Sequence, residues 1–156
     1  MNSPNMAAQA RSYLSRAHRV DRRIEAKRAQ VAVLRDLSTS ATAQLSDMPR
    51  SDSPSLQRME TLVCKITDLE KEIGVDILEA EHLRIETALT ICAISDVQQQ
   101  RVLTLRYLCG RTWNAIIDEM GYSRSHIFRL HEDALCNVEA LLLNGGAGHE
   151  LSRSES

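Results

Sequence analysis

Apolar residues recur at every seventh position through the first part of this chain, and nothing else in the sequence restricts its fold so much. Across residues 6–37, Ala10, Ala17, Ile24 and Val31 form one track. Tyr13, Val20 and Leu34 form a second, broken by Lys27, with Arg, Asp, Glu and Gln between them. Such a repeat gathers its apolar side chains into one stripe along a helix, and that stripe needs a second helix to cover it. The sequence supplies one. Met59, Ile66, Ile73 and Ala80 follow the same spacing, beside Leu62, Leu69 and Leu83, with Asp76 as the interruption. Residues 38–55, rich in Ser, Thr and Pro, read as a flexible loop. Two seams joined by a loop predict an antiparallel, coiled-coil-like helical hairpin over residues 1–94. Gly74, which costs about 1 kcal/mol relative to Ala in a helix, marks a local bend.

Charge favours the same pairing. Residues 1–50 hold nine Lys/Arg against four Asp/Glu, whereas residues 51–95 hold four against nine. Opposite signs favour the two helices pairing with each other over either pairing with itself. Residues 96–156 hold six against eight. Only 3% of residues are aromatic against 43% hydrophobic, so the core is aliphatic and an all-α fold is expected. No run approaches the roughly 18 apolar residues of a membrane helix, and the first residues lack the apolar stretch of a secretory signal. A cytoplasmic, nucleoid-associated protein is the expectation. Cys64, Cys92, Cys109 and Cys136 are widely spaced, which argues against a zinc site and reads as buried thiols in a reducing compartment.

Shorter helices are expected from residue 95 onward. Ser95 and Gln98 match a capping box, opening a helix with Val102, Leu103, Leu105 and Leu108 that stops at Gly110. Thr112 caps the next, which carries Trp113, Ile116, Ile117 and Met120 and ends at Gly121. Ser123 caps a third, with Ile127, Leu130, Ala134, Leu135, Val138 and Leu141 on its apolar face. Residues 144–156 read as a disordered tail.

Two helices separated by Gly121-Tyr122-Ser123 predict a helix-turn-helix, so residues 95–143 form a three-helix DNA-binding domain. In such a unit the second helix enters the major groove and offers its N-terminal residues to base edges. Arg124, Ser125, His126, Phe128 and Arg129 lie there, off the apolar stripe. Arginine can bond guanine in a bidentate manner, and Ser or His can reach bases or phosphates. Arg111, Thr112, Tyr122 and Ser123 fall near the expected phosphate positions. Phe128 has three readings: a groove contact, a thymine-methyl contact, or an aromatic packed against another subunit. Arg11, Arg19, Arg22 and Arg23 of the basic helix have two as well: phosphate contacts, or ion pairs with the acidic helix.

The segment QQQRVLTLRYLCGRTWNAIIDEMGYSRSHIFRLHEDAL resembles region 4 of sigma-70-type factors. The likeness lies in Leu105-Arg106-Tyr107 before a glycine, Thr112 opening a helix, a Gly-x-Ser turn, and the closing Ala134-Leu135. It covers about 40 residues by the spacing of a helix-turn-helix unit. With the N-terminal hairpin added, the layout is similar to small phage-encoded regulators related to late-gene activators of the ArpU and RinA type. The resemblance implies transcription regulation in a phage or prophage, with Arg124 at a base- and backbone-contacting position followed by Ser125 and His126. Phe128 and Asp133 stand where the family is usually basic, and Glu132, Asp133 and Glu139 make the far half of the last helix acidic. Ile117-Asp118 stands where a small residue usually follows the Ile.

Double-stranded DNA is therefore the expected partner, with RNA polymerase or a sigma factor as a further one, and a homodimer or higher oligomer as the expected state. The acidic surface opens an alternative, an interaction module for polymerase or a sigma factor with no DNA affinity of its own. A DNA-recognition subunit of a phage packaging machine is the other alternative. No enzyme is expected. The sequence has no phosphate loop, nucleophile elbow or metalloprotease motif, His126 and His131 fall on different helix faces, and neither cofactor nor metal is implied.

Overall fold

A computed structural model of the chain describes residues 4–45 and 54–150, with side chains at 7–43 and 54–145. The protein is all-helical, with no strand among the described residues. In chain order the helices are α1 (Pro4–Leu14), α2 (Arg16–Leu45), α3 (Pro54–Cys92), α4 (Val97–Leu103), α5 (Trp113–Met120) and α6 (Arg124–Glu150), with a π-helical turn, Thr104–Leu108, continuing α4. No described helix is long and apolar enough to cross a membrane.

Pro4 and Pro54 each stand at a first helical position, where the missing N–H costs nothing and the fixed φ suits the helix. The expected single N-terminal helix divides at Ser15. Arg16 Nε donates to the Tyr13 carbonyl at 3.0 Å and its guanidinium lies 3.9 Å over the Tyr13 ring. A side-chain donor thus offers the carbonyl an alternative to the helical ladder. The loop expected from residue 38 begins later, because α2 continues to Leu45. Thr39 and Thr42 hydroxyls bond back to the Arg35 and Ser38 carbonyls at 3.0 and 2.9 Å, so polar side chains that often favour turns are absorbed by the helix itself. Residues 46–53 of that loop lie outside the described residues. The disordered tail expected from residue 144 is corrected for its first part, since α6 extends to Glu150.

The chain forms two compact units, cut differently from the expected boundary at residue 94. One comprises residues 1–18 and 81–156, the other residues 19–80. The first unit has a core of Leu14, Leu103, Ile116, Ile127, Leu135 and Val138, with Ala10 of α1 fully enclosed. The first helix, assigned by its heptads to the hairpin, thus packs with the C-terminal helices. Arg11 pairs with Glu132 of α6, and Arg16 with Glu86 at 2.9 Å.

In the second unit, Ile24, Val31 and Leu69 are buried along the expected seams. The two interruptions meet: Lys27 Nζ lies 2.6 Å from the Asp76 carboxylate. Arg23 adds a bond to Asp76 at 3.0 Å and one to Glu79 at 2.7 Å. Arg35 pairs with Glu70. As residue numbers rise along α2, partners on α3 fall. Asp76 is 6% exposed, and its carboxyl is held below the usual 3.8 first by the Arg23 bond and then by Lys27. Gly74 stands in helical backbone with open space where a Cβ would lie.

The cysteines correct another expectation. Cys64, Cys92 and Cys109 are exposed and Cys136 is partly so, all as free thiols. Their positions fall on outward helix faces or, for Cys109, just past the π turn, beyond the reach of either core.

Candidate nucleic-acid interface

The interface expected from the sequence lies in the first unit and is set by three local devices. The first is the end of α4. Its N-cap is Asp96, which accepts from the Gln99 amide at 2.9 Å, and not Ser95. The two residue types cap about equally well, and Asp96 stands directly before the first helical residue. Gln98 is not the reciprocal partner; Gln100 instead reaches back to the Ile94 carbonyl at 2.5 Å. The helix then widens, with the Cys109 amide donating to the Thr104 carbonyl at 2.9 Å and the Arg111 amide to Leu105 at 2.9 Å. Gly110 takes φ +65° to make this closure, a left-handed conformation that disfavours a side chain.

The second device is α5. Thr112 has extended backbone and its hydroxyl accepts from the Ala115 amide at 3.2 Å. Gly121 ends the helix at φ +72°, its amide donating to Ile117 at 2.9 Å. The third is the start of α6, where the Ser123 hydroxyl accepts from the His126 amide at 3.3 Å. Both caps and the terminating glycine stand where the sequence placed them. Buried Ile116, Met120 and Ile127 tie α5 and α6 into one core.

Arg124, Ser125, His126 and Arg129 are exposed together on the first turns of α6. Tyr122 keeps 38% exposure with its ring 4.6 Å from that of His126. Arg124 reaches Asn114 of α5 at 3.4 Å and lies 5.3 Å over the Phe128 ring. Arg111 and Thr112 are exposed; the Thr112 hydroxyl is engaged as a cap, and the Arg111 carbonyl accepts from Arg106 at 3.0 Å. Phe128 packs inward, 4.9 Å from the Trp113 ring. These contacts are packing within the chain and not against another subunit, and the ring lies beneath the Arg124 guanidinium.

Other candidates separate as well. Arg23 is ion-paired with the acidic helix, the second of its two readings; Arg11 pairs instead with Glu132 of α6, while Arg19 and Arg22 are exposed. The acidic surface expected from Glu132, Asp133 and Glu139 is smaller than expected, because Glu139 is 3% exposed and Glu132 holds Arg11. His131 is buried and shares a 2.9 Å hydrogen bond with the Tyr107 hydroxyl. Burial first, then Arg11 and Arg106, push its pKa from 6.5 down to about 4, so it is neutral at physiological pH. Among the described residues no three His, Cys, Asp or Glu side chains gather in a way that could hold a metal ion.

Sequence reasoning placed Trp113 on a helix face, Tyr107 in the Leu-Arg-Tyr motif and His131 in a rejected metal pair, and did not bring the three together. Yet Tyr107, Trp113, Tyr122 and Phe128 supply four of the chain's five aromatic rings. That concentration within one short segment was the available signal. Compared with known proteins, the chain matches no family model, no curated protein and no solved structure.

Proposed function

We propose that this protein is a sequence-specific, double-stranded-DNA-binding transcription regulator of the sigma-70 region-4-like kind, phage or prophage encoded. Its architecture on this reading is a helical hairpin followed by a helix-turn-helix in which α5 braces the backbone and α6 reads the major groove. One observation carries the proposal: α6 begins directly after a left-handed glycine turn, with Arg124, Ser125, His126 and Arg129 exposed on its first turns. Two arginines without a carboxylate partner among the described residues can serve either guanine or phosphate. Tyr122, Ser123, Arg111 and Thr112 flank them for backbone contacts, and Phe128 sets the height of Arg124. The reversed pairing order of α2 and α3 supports the hairpin. The protein acts on this reading as a homodimer or higher oligomer, supported by the exposed Val75, Leu78, Ile85 and Leu89, spaced three, seven and four residues apart on α3.

Electrophoretic shifts at low salt on duplexes from the promoter regions beside its own gene test the reading. The Arg124→Ala plus Arg129→Ala protein should bind at least about tenfold more weakly, since a good base contact is worth about 1–3 kcal/mol. Equal binding by both proteins would sink the groove assignment.

A further inference from the structure

In the first unit a cleft of about 540 Å³ opens between α1, the first turn of α2, the π turn, α5 and α6. Its size falls within the range of small-molecule sites, which runs from about 300 to 1,000 Å³. The walls are chemically unusual for this chain. Trp113, the only tryptophan, meets Phe128 at 55° and the edge of His131 at 76°, with ring centroids 4.9 and 4.8 Å apart. Arg106 holds its guanidinium 4.6 Å over the indole. Arg11 is ion-paired with Glu132 at the cleft wall, whereas Arg106 has no carboxylate partner among the described residues and leaves the lining with one uncompensated cation. Neutral His131 is held by Tyr107 and adds no charge of its own.

We infer that this cleft is a binding site for a small planar ring bearing one anionic group, a carboxylate or a phosphate. The ring lies against Trp113 and Phe128, and Arg106 receives the anion, with the Arg11–Glu132 pair beside it. Aromatic walls favour a flat apolar body with edge-to-face or offset contact, and planar guanidinium groups suit carboxylate or phosphate oxygens. The concavity of the site separates this role from duplex binding, which uses the outer surface of α6. The inference stands independently of DNA binding.

Titration of the full chain, read by Trp113 fluorescence excited at a wavelength the ligands do not absorb, tests it. The probes are benzoate and phenyl phosphate for a simple aromatic acid, and adenosine monophosphate for a nucleotide. Benzamide and adenosine are the neutral rings, and acetate and inorganic phosphate the anions without a ring. A saturable response to at least one ring-bearing anion is expected, with a midpoint on the order of a millimolar or below. The family of probe that saturates identifies the source of the ligand. Arg106→Gln should weaken binding about tenfold, and Glu132→Gln, which removes the opposing charge, should strengthen it. A linear response equal to that of free tryptophan overturns the inference. So does equal binding of neutral rings, or an unchanged midpoint in a folded Arg106→Gln protein. If Arg106→Gln fails to fold, the direction of the Glu132→Gln change decides.

Discussion

Acidification from pH 7 to pH 4 should weaken the first unit through one residue, His131. In the unfolded chain its imidazole takes a proton near pH 6.5, whereas in the folded protein it resists until about 4. Between those values the unfolded state binds more protons, so stability rises with pH across the window. The contribution of a neutral His131 is fully present above about pH 6.5 and is lost as pH falls toward 4. At 1.36 kcal/mol per pH for one proton, full linkage over that interval is worth about 3 kcal/mol. Water entering the cleft screens part of this, and a loss of about 2 kcal/mol is expected. Urea unfolding at a series of pH values, followed through Trp113, measures it, because that ring lies 4.8 Å from the His131 ring. His131→Gln keeps an acceptor for Tyr107 and cannot titrate, so its stability should stay level across the same window. Asp76 does not obscure the result. Its contribution is lost only as pH falls below the usual 3.8. Arg106→Gln should raise the His131 titration midpoint by removing a nearby positive charge. An NMR midpoint for His131 near 6.5, or equal losses in wild type and His131→Gln, would refute the reasoning.

Three further outcomes concern the turn before α6 and the pairing of α2 with α3. Gly121→Ala forces a side chain into a left-handed backbone at φ +72° and should cost about 1–2 kcal/mol, read as a lower melting temperature with unchanged helix content at 10 °C. Gly74→Ala fills open space on a helical exterior and should stabilise by about 1 kcal/mol, visible as a higher urea midpoint. Lys27→Met and Asp76→Leu should each destabilise alone by leaving a desolvated partner, while the double variant recovers most of the loss. Additive melting-temperature losses in that cycle would show that the two charges do not act as a pair.

What could be read from the sequence followed the kind of interaction involved. Heptad spacing located Ile24, Val31 and Leu69 at the seams because burial leaves a periodic trace. Thr112, Gly121 and Ser123 were legible because caps and left-handed turns demand particular residue types at fixed positions. The same rules erred at Ser95, where two adjacent residues could both cap and local chemistry alone could not choose between them. The loop and tail were drawn too long because Ser, Thr and Gly composition outweighs context in a single sequence, whereas Thr39 and Thr42 satisfy themselves within the helix. Lys27 and Asp76 looked like two defects, and only their 49-residue separation across the pair makes them one interaction. The unit boundary was hidden for a related reason. Ala10 carries the heptad signal whether its neighbour is α3 or α6, so periodicity reports that a face is covered but not by what. The Trp113 cleft was the least legible feature, since its walls come from five elements and share no spacing rule.

The widened turn before Gly110 has a consequence for how this chain can change by heredity. A π turn accommodates one residue more than an α-helical turn of the same rise. Loss of a single codon within residues 104–108 would therefore tighten the turn into an ordinary α-helix and leave the flanking segments able to keep their phase. Gly110, the Thr112 cap and α5 could then remain in place. Arg106, which hangs from the bulge and lies over Trp113, could not. One deletion would separate two properties that share this unit, retaining the turn-and-helix frame while removing the cation above the indole.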